Sequence, residues 1–82
     1  GRAMCECVVK FSDPMEIRDF VTLATRQAFP IRVEHGGLTT SATSIMSLFC
    51  MGLNRPLRVF STASGDDAAR FLEALAPYLV AG

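Results

Sequence analysis

The side chains best suited to chemistry in this sequence are three cysteines, one histidine and an aspartate that precedes a helical pattern. Cys5 and Cys7 are two residues apart, Cys50 stands alone and His35 is the only imidazole. A structural zinc site needs four ligands, and no second cysteine pair is present to complete one. No Ser-His-Asp or Cys-His group can be drawn either. We therefore predict no metal site, no cofactor and no enzyme active site.

Asp13 and Ser44 each stand where a helix is expected to begin. Asp13 precedes Pro14, and this pair suits the N-cap and the first position of a helix. A carboxylate can also accept a phosphoryl group, but it then ordinarily needs a divalent cation or a basic group, which the neighbouring residues lack. We predict that Asp13 is a cap, with phosphate acceptance as the alternative. The hydroxyl of Ser44 or of Thr43 is predicted to cap the helix that follows.

Length and charge limit the classes of protein that this chain can belong to. It has 82 residues, eight of them basic and eight acidic, and half are apolar. A chain of this length forms one core, so residues 4–82 are predicted to be a single domain, with 1–3 an expression scar before Met4. The dispersed basic residues argue against nucleic-acid binding. Without a long apolar run or a signal peptide, we expect a cytoplasmic protein that does not bind membranes.

The spacing of apolar residues predicts elements in the order β-α-β-β-α-β-α. Pro30 and the glycine pair at 36 and 37 mark two of the breaks. The order predicts an α+β fold in two layers, with helices on one face of an antiparallel sheet. The predicted strands are 5–11, 31–35, 38–42 and 57–61, and the predicted helices are 14–28, 44–52 and one with apolar residues from Ala68 to Leu79, kinked or ended by Pro77.

The second predicted helix is more apolar than a single buried stripe requires. Ile45, Met46 and Phe49 share its circumference with Leu48, and a helix this short cannot bury every side that it presents. Methionine is frequent on adaptable binding surfaces. We therefore predict that some of these side chains face solvent or a partner while Leu48 and one of the others pack inward. Core packing of Ile45, Met46 and Phe49 is the alternative.

The order of elements and several residue runs resemble HPr, the histidine-containing phosphocarrier protein of the bacterial phosphoenolpyruvate-dependent sugar phosphotransferase system. Ser-Ala-Thr-Ser-Ile-Met-Ser-Leu at 41–48 resembles the HPr segment that carries a regulatory serine. Residues 19–24 resemble the first HPr helix, and Gly-Asp-Asp at 65–67 resembles the opening of the last. The resemblance implies an open-faced β-sandwich, in which a four-stranded antiparallel sheet carries three helices on one face.

The resemblance also exposes a departure at the phosphoacceptor motif. HPr carries its phosphoryl group on a histidine in the motif Gly-Leu-His-x-Arg-Pro-Ala. Aligned on the first helix, the histidine position holds Asp13, the arginine position Met15 and the proline position Glu16. His35 belongs to the predicted hairpin and cannot replace the missing side chain. The resemblance therefore implies an HPr-like protein for which ordinary phosphohistidine transfer is not available.

The resemblance assigns a regulatory role to the second helix and the serine before it. Ser44 matches the serine that HPr kinase phosphorylates, and Ile45, Met46 and Phe49 match the helix that docks on HPr partners. We therefore predict a regulatory protein whose partners include phosphotransferase-system or catabolite-control proteins and HPr kinase. Two alternatives stay open: a noncanonical phosphocarrier that uses Asp13, and a structural module that self-associates through the apolar helix and the thiol-bearing first strand.

Overall fold

The computed structural model describes residues 5–80, so the predictions for residues 1–3 and Met4 lie outside the described residues. Seven helices and strands follow one another in the predicted order, and a single 3₁₀ turn comes after them. The strands are β1 (Cys5–Val9), β2 (Ile31–His35), β3 (Leu38–Ser41) and β4 (Leu57–Ser61), the helices are α1 (Pro14–Thr25), α2 (Ile45–Met51) and α3 (Gly65–Ala74), and the 3₁₀ turn spans Ala76–Tyr78.

The four strands form one antiparallel sheet in the order β1-β4-β2-β3. Side chains alternate between its faces along β4, where Leu57, Val59 and Ser61 are buried and the residues between them are half-buried. The three helices cover the face that carries the buried residues, since each helix adds side chains to the same core. The predicted α+β architecture, with four antiparallel strands and three helices on one face, is confirmed.

The core is built from fully buried aromatic and aliphatic side chains of all three helices and the sheet. The Phe11 ring lies 5.1 Å from that of Phe20 on α1, and the Phe29 ring lies 5.7 Å from that of Phe71 on α3. These edge or tilted contacts add to the burial of apolar area. The largest fully buried side chains are Phe11, Phe20, Phe71, Ile17, Leu48, Leu57, Leu75, Val9, Val33 and Val59.

The uncovered face of the sheet is held by a charged network across three strands. The Arg58 guanidinium donates to Glu34 Oε1 at 2.9 Å and to Glu6 Oε1 at 2.9 Å. These two hydrogen bonds raise the pKa of Arg58 above its ordinary value. The guanidinium carbon also lies 4.3 Å from the centre of the Phe60 ring. The Arg58 charge therefore has its partners on β1, β2 and its own strand β4.

The first helix is shorter than the predicted 14–28, because its last turn tightens after Thr25. Arg26 N and Gln27 N bond to carbonyls three residues back, both at 3.2 Å, and the Gln27 side-chain amide donates to Leu23 O at 2.9 Å. The ring of Pro30 disfavours a helical conformation for the residue before it. Ala28, predicted on the apolar face of the helix, is consequently exposed beyond its end.

The last helix also ends early, at Ala74 rather than near Leu79. Pro77 has no backbone N–H and cannot continue the α-helical ladder, and the chain passes into a 3₁₀ turn. Leu79, predicted to pack on the helix face, instead forms a β-bridge with Val9 and is 41% exposed. The first strand likewise ends at Val9, before the predicted Phe11, because Lys10 N turns to bond Tyr78 O at 2.9 Å.

The predicted hairpin between β2 and β3 is present and places β3 at the edge of the sheet. Gly36 and Gly37 have φ values of +56° and +82°, the left-handed conformation that a two-residue hairpin turn needs at both positions. β3 ends at Ser41, one residue earlier than predicted. Ala42 N still donates to Ile31 O at 2.9 Å, so the pairing with β2 continues one residue past the strand. Among residues 5–80, no helix is both long enough and apolar enough to cross a membrane.

Candidate functional site

Asp13 begins α1 as its N-cap. Its backbone is extended, with φ −153° and ψ 166°, and Oδ1 accepts a hydrogen bond from Glu16 N at 3.0 Å. Glu16 in turn reaches back, since its Oε1 accepts from Ser12 N at 2.7 Å and from Ser12 Oγ at 3.0 Å. The Asp13 bond satisfies one of the donors that a helix start leaves without partners, and the Glu16 bonds hold the residue that precedes the cap. The predicted capping geometry of Asp13, with Pro14 at the first helical position, is therefore present.

The start of α1 is acidic. Burial raises the pKa of Tyr78 above its ordinary value, and the charges of Asp19, Glu16 and Asp13 raise it further. Arg18 offers little compensation, because its guanidinium pairs with Asp19 at 3.5 Å and both side chains are 57% exposed. A phosphoryl group at Asp13 would therefore be repelled by the carboxylates of Glu16 and Asp19 on the same helix, which opposes the favourable field of the helix N-terminus.

The loop after α2 brings the end of that helix beside the start of α1. Asn54 N donates to Phe11 O at 2.7 Å. Gly52, with φ +95°, ends α2, and a Cβ at this position would lie 3.3 Å from Nε of Arg55, whose side chain packs over it. Met15, at the predicted arginine position, is 53% exposed, and α1 and α2 pack against each other.

The short helix α2 buries one side and exposes the other. Leu48 is fully buried and Met51 is 7% exposed, whereas Met46 is 70% and Phe49 41% exposed. Ile45 is half-buried and packs against the core. The predicted binding surface of Ile45, Met46 and Phe49, called here the α2 docking surface, therefore presents two accessible side chains, and Ile45 contributes mainly to the core.

Ser44 occupies the N-cap position of α2, but its side chain makes no hydrogen bond to a helix amide. The prediction that its hydroxyl caps the helix is wrong in this respect. The hydroxyl instead bonds another side chain, because Ser44 Oγ donates to Ser47 Oγ at 2.9 Å. Ser44 N bonds Ser41 O at 3.1 Å, and the residue is half-buried.

The three thiols are divided between the core and the surface. Cys5 is buried and Cys7 half-buried on the helix face of β1, whereas Cys50 on α2 is exposed. Burial raises the pKa of Cys5, and burial together with the charges of Cys5 and Glu6 raises that of Cys7 to about 11. Within the described residues 5–80, no three His, Cys, Asp or Glu side chains are grouped so that they could hold a metal ion.

A groove between β3 and α2 was not foreseen from the sequence. It has a volume of about 360 Å³ and is open to solvent along the edge of the sheet. The one feature of the sequence that could have indicated this groove is the spacing of Met46 and Cys50. They are four residues apart, which places both side chains on one side of the helix. Leu38, 69% exposed, stands on the opposite wall. The groove is lined by Leu38, Thr39, Thr40, Met46, Ser47, Cys50 and Met51.

Most of the chain matches a known family. The matching family model is described as the PTS HPr component phosphorylation site, and the match covers residues 16–80. The chain belongs to the HPr family. HPr-family proteins are phosphocarriers rather than catalytic enzymes, and they interact with other proteins of the phosphotransferase system. The predicted family and the prediction that the chain is not an enzyme are confirmed.

Solved HPr structures share the fold of this HPr-family chain. The phosphocarrier protein HPr from Bacillus anthracis strain Ames is 31% identical, with 96% of this chain and 100% of that chain covered and a TM-score of 0.68. HPr-C-His from Thermoanaerobacter tengcongensis is 22% identical, with 90% and 89% covered and a TM-score of 0.70. No curated protein sequence matches the chain. The family match begins at Glu16, after the two positions predicted to replace the HPr histidine and arginine, Asp13 and Met15.

Proposed function

We propose that this protein is a cytoplasmic, regulatory HPr relative that lacks the phosphoacceptor histidine and acts by docking on protein partners. The observation that carries the proposal is the use of the Asp13 carboxylate at the start of α1. Its Oδ1 accepts from Glu16 N at 3.0 Å, so the residue at the predicted phosphoacceptor position serves the helix. The only imidazole, His35, lies at the end of β2 and contacts Pro56 O at 3.2 Å.

The chemistry around Asp13 supports the loss of phosphoryl transfer. A phosphorylated side chain at a helix start is ordinarily stabilised by amide N–H groups and a guanidinium. Here Asp13 and Glu16 are themselves bonded to the N–H groups of Glu16 and Ser12, and the predicted arginine position holds Met15. These N–H groups are thus already bonded to carboxylates, which argues against the noncanonical phosphocarrier.

The α2 docking surface supports a role in binding. Met46 and Phe49 are large apolar side chains that the core does not use, and Ile45 anchors the helix beneath them. Flexible methionine side chains adapt to a partner at small cost, and a cluster of exposed apolar residues is typical of an interaction site.

Ser44 is the proposed site of regulatory phosphorylation beside the docking surface. Its neighbours Thr43 and Met46 are exposed, so a kinase can approach the segment. The hydroxyl must leave Ser47 Oγ, now 2.9 Å away, which costs one hydrogen bond, about 1 kcal/mol. A phosphate there would add about two negative charges next to Met46 and change which partners the surface accepts.

Intact mass after two parallel incubations tests the chemical part of the proposal. One incubation contains phosphoenolpyruvate and enzyme I, the other ATP and HPr kinase, and an HPr that carries both histidine and serine is the positive control. We expect phosphate only in the second reaction, mapped to Ser44 and absent from Ser44→Ala. Phosphate gained in the first reaction would establish Asp13 or another residue as a carrier. No phosphate in either would remove the regulatory serine from the proposal.

The rate of phosphorylation by HPr kinase tests the docking part. Met46→Asp places a charge at the centre of the α2 docking surface and should lower the rate by tenfold or more. A tenfold change corresponds to about 1.4 kcal/mol, less than the loss of a typical interface hot spot. Val80→Asp is the matched control, because Val80 is also apolar and is 40% exposed at the far edge of β1. Equal rates for both variants would show that the kinase docks elsewhere.

A further inference from the structure

The segment that carries Ser44 has no charged side chain. Residues 38–53 contain no Asp, Glu, Lys, Arg or His, so this segment supplies no cation for a phosphate on Ser44. The helix α1, which packs against α2, adds one cation, Arg18, and its guanidinium pairs with Asp19 at 3.5 Å. A phosphate on Ser44 therefore depends on partners of another kind.

Three further arginines lie around this segment. Arg26 ends α1 as its C-cap and is exposed. Arg32 lies on the uncovered face of the sheet, since its two neighbours in β2 are buried. Arg55 packs over the C-terminal end of α2. Within residues 5–80, none of the three donates a hydrogen bond to Ser44.

Hydroxyl groups surround Ser44 instead, and they form two separate pairs. Ser41 Oγ lies 2.8 Å from Thr43 Oγ1 and accepts from Thr43 N at 3.2 Å. Ser44 Oγ donates its proton to Ser47 Oγ at 2.9 Å. Ser47 is half-buried, lies three residues further along the chain and lines the groove. It is the side chain that bonds the Ser44 hydroxyl among the described residues.

Phosphorylation of Ser44 reverses what Ser47 has to do. Transfer from ATP forms a bond between Ser44 Oγ and the γ-phosphorus and breaks the bond from that phosphorus to the β–γ bridging oxygen. ADP leaves with the electron pair of the broken bond, and the Ser44 proton passes to a base of the kinase. Ser44 Oγ then has no proton to donate. A hydroxyl is a donor as well as an acceptor, so Ser47 can supply its own proton.

We propose that the Ser47 hydroxyl is the internal partner of this site, which accepts from the Ser44 hydroxyl before phosphorylation and donates to the phosphate afterwards. The inference rests on the proposed phosphorylation of Ser44. The phosphate oxygens share their phosphorus with Ser44 Oγ, so they come within reach of the group that Oγ contacts now. A hydrogen bond to an ionised acceptor is stronger than one between neutral groups. Ser47 thereby holds the phosphate beside the groove and next to Met46.

Phosphoserine placed at position 44 during translation tests the proposal without a kinase. Phosphorus NMR follows its titration between about pH 4 and about pH 8, around the second phosphate pKa of about 6. A hydrogen bond to the dianion lowers this pKa, so Ser47→Ala should raise it by about 0.3–0.5. Salt at about 0.15 M screens distant charges, and every variant keeps the same arginines.

Two variants serve as matched controls. Ser47→Thr keeps a hydroxyl at the same position and should keep the pKa of the parent. Thr43→Ala removes an exposed hydroxyl next to Ser44 that bonds Ser41 instead, and it should also titrate like the parent. Alanine favours helices, so Ser47→Ala should retain the far-ultraviolet circular dichroism of the parent.

Three results would overturn the role of Ser47. These are a Ser47→Ala variant that titrates like the parent, a Ser47→Thr variant that titrates like Ser47→Ala, and a Thr43→Ala variant whose pKa rises as much as that of Ser47→Ala. The proposed function fails by a different result, which is the absence of phosphate on Ser44 after incubation with the kinase. The encoded phosphoserine needs no kinase, so each failure is recognised separately.

Discussion

Replacing Asp13 with alanine should destabilise the domain through the loss of one defined hydrogen bond. The bond from Glu16 N to Asp13 Oδ1, 3.0 Å long, disappears, and the amide keeps only its longer bond to Asp13 O at 3.2 Å. Removing an N-cap side chain costs about 1 kcal/mol, within a range of about 0.5–2. Glu16 keeps its bonds to Ser12, so the loss should not exceed that range. For a domain of this size the melting temperature should fall by about 4–8 °C.

Asp13→Asn separates the structural role from any need for the carboxylate. Asparagine caps helices about as well as aspartate, so this variant should stay within about 0.5 kcal/mol of the parent. Asp19→Ala is the matched control on the same helix, because Asp19 is 57% exposed and its pairing with Arg18 is long, at 3.5 Å. An exposed pair of this kind contributes little, and the control should also stay within about 0.5 kcal/mol.

Urea denaturation followed by far-ultraviolet circular dichroism measures these differences without a tryptophan, which the sequence lacks. With a slope of about 1 kcal/mol per molar urea, Asp13→Ala should lower the midpoint by about 1 M at an unchanged slope. Two results would refute the reasoning. One is an alanine variant as stable as the parent, and the other is an asparagine variant as unstable as the alanine variant, which would give the carboxylate a role beyond the cap.

Three further predictions concern the core, the thiols and the turn after α2. Leu48→Ala should lower the free energy of unfolding by about 3–5 kcal/mol, because it opens a cavity at a fully buried site, while Met46→Ala on the exposed side should change it by less than about 0.5 in the same denaturation assay. Burial raises the pKa of Cys7 from 9.0 to about 11, so folding favours the protonated thiol, and the free energy of unfolding should decrease as pH rises from 9 to 11. Cys7→Ala should show a smaller decrease when denaturation is repeated over this pH range. At pH 8, iodoacetamide should label the exposed Cys50 first, which peptide mass mapping will show. Gly52→Ala should cost about 1–3 kcal/mol, read from thermal unfolding, because φ +95° with ψ 166° strains any residue with a side chain.

The sequence was sufficient to predict features that depend on neighbouring residues. The cap at Asp13 and Pro14 begins α1 as expected, and the glycine pair at 36 and 37 forms the hairpin turn, with φ values of +56° and +82°. The element order follows from periodicity, because a 3.6-residue and a 2-residue repeat are visible in the sequence itself. The element order in turn predicted the antiparallel sheet and the layer of helices on it.

Helix ends and side-chain partners were predicted less well, because they depend on competing contacts. The Ser44 hydroxyl was expected to bond a helix amide, but in the structure it bonds Ser47 Oγ. Leu79 fits the apolar face of α3 in sequence, but the turn at Pro77 sends it to Val9 on the other side of the core. Ile45 and Met46 are adjacent and both apolar, yet only Met46 is exposed.

The sequence by itself determined the order of elements, the family and the identity of the residue at the start of α1. These are properties of local chemistry and of residue order, so they exist before the chain folds. Only the tertiary structure decided which sheet edge the C-terminal residues pair with and where the groove beside α2 lies. The C-terminal residues could have covered either edge as far as the sequence tells, and they pair with Val8 and Val9. This pairing joins segments about 70 residues apart, and the geometry of the packed core determines it.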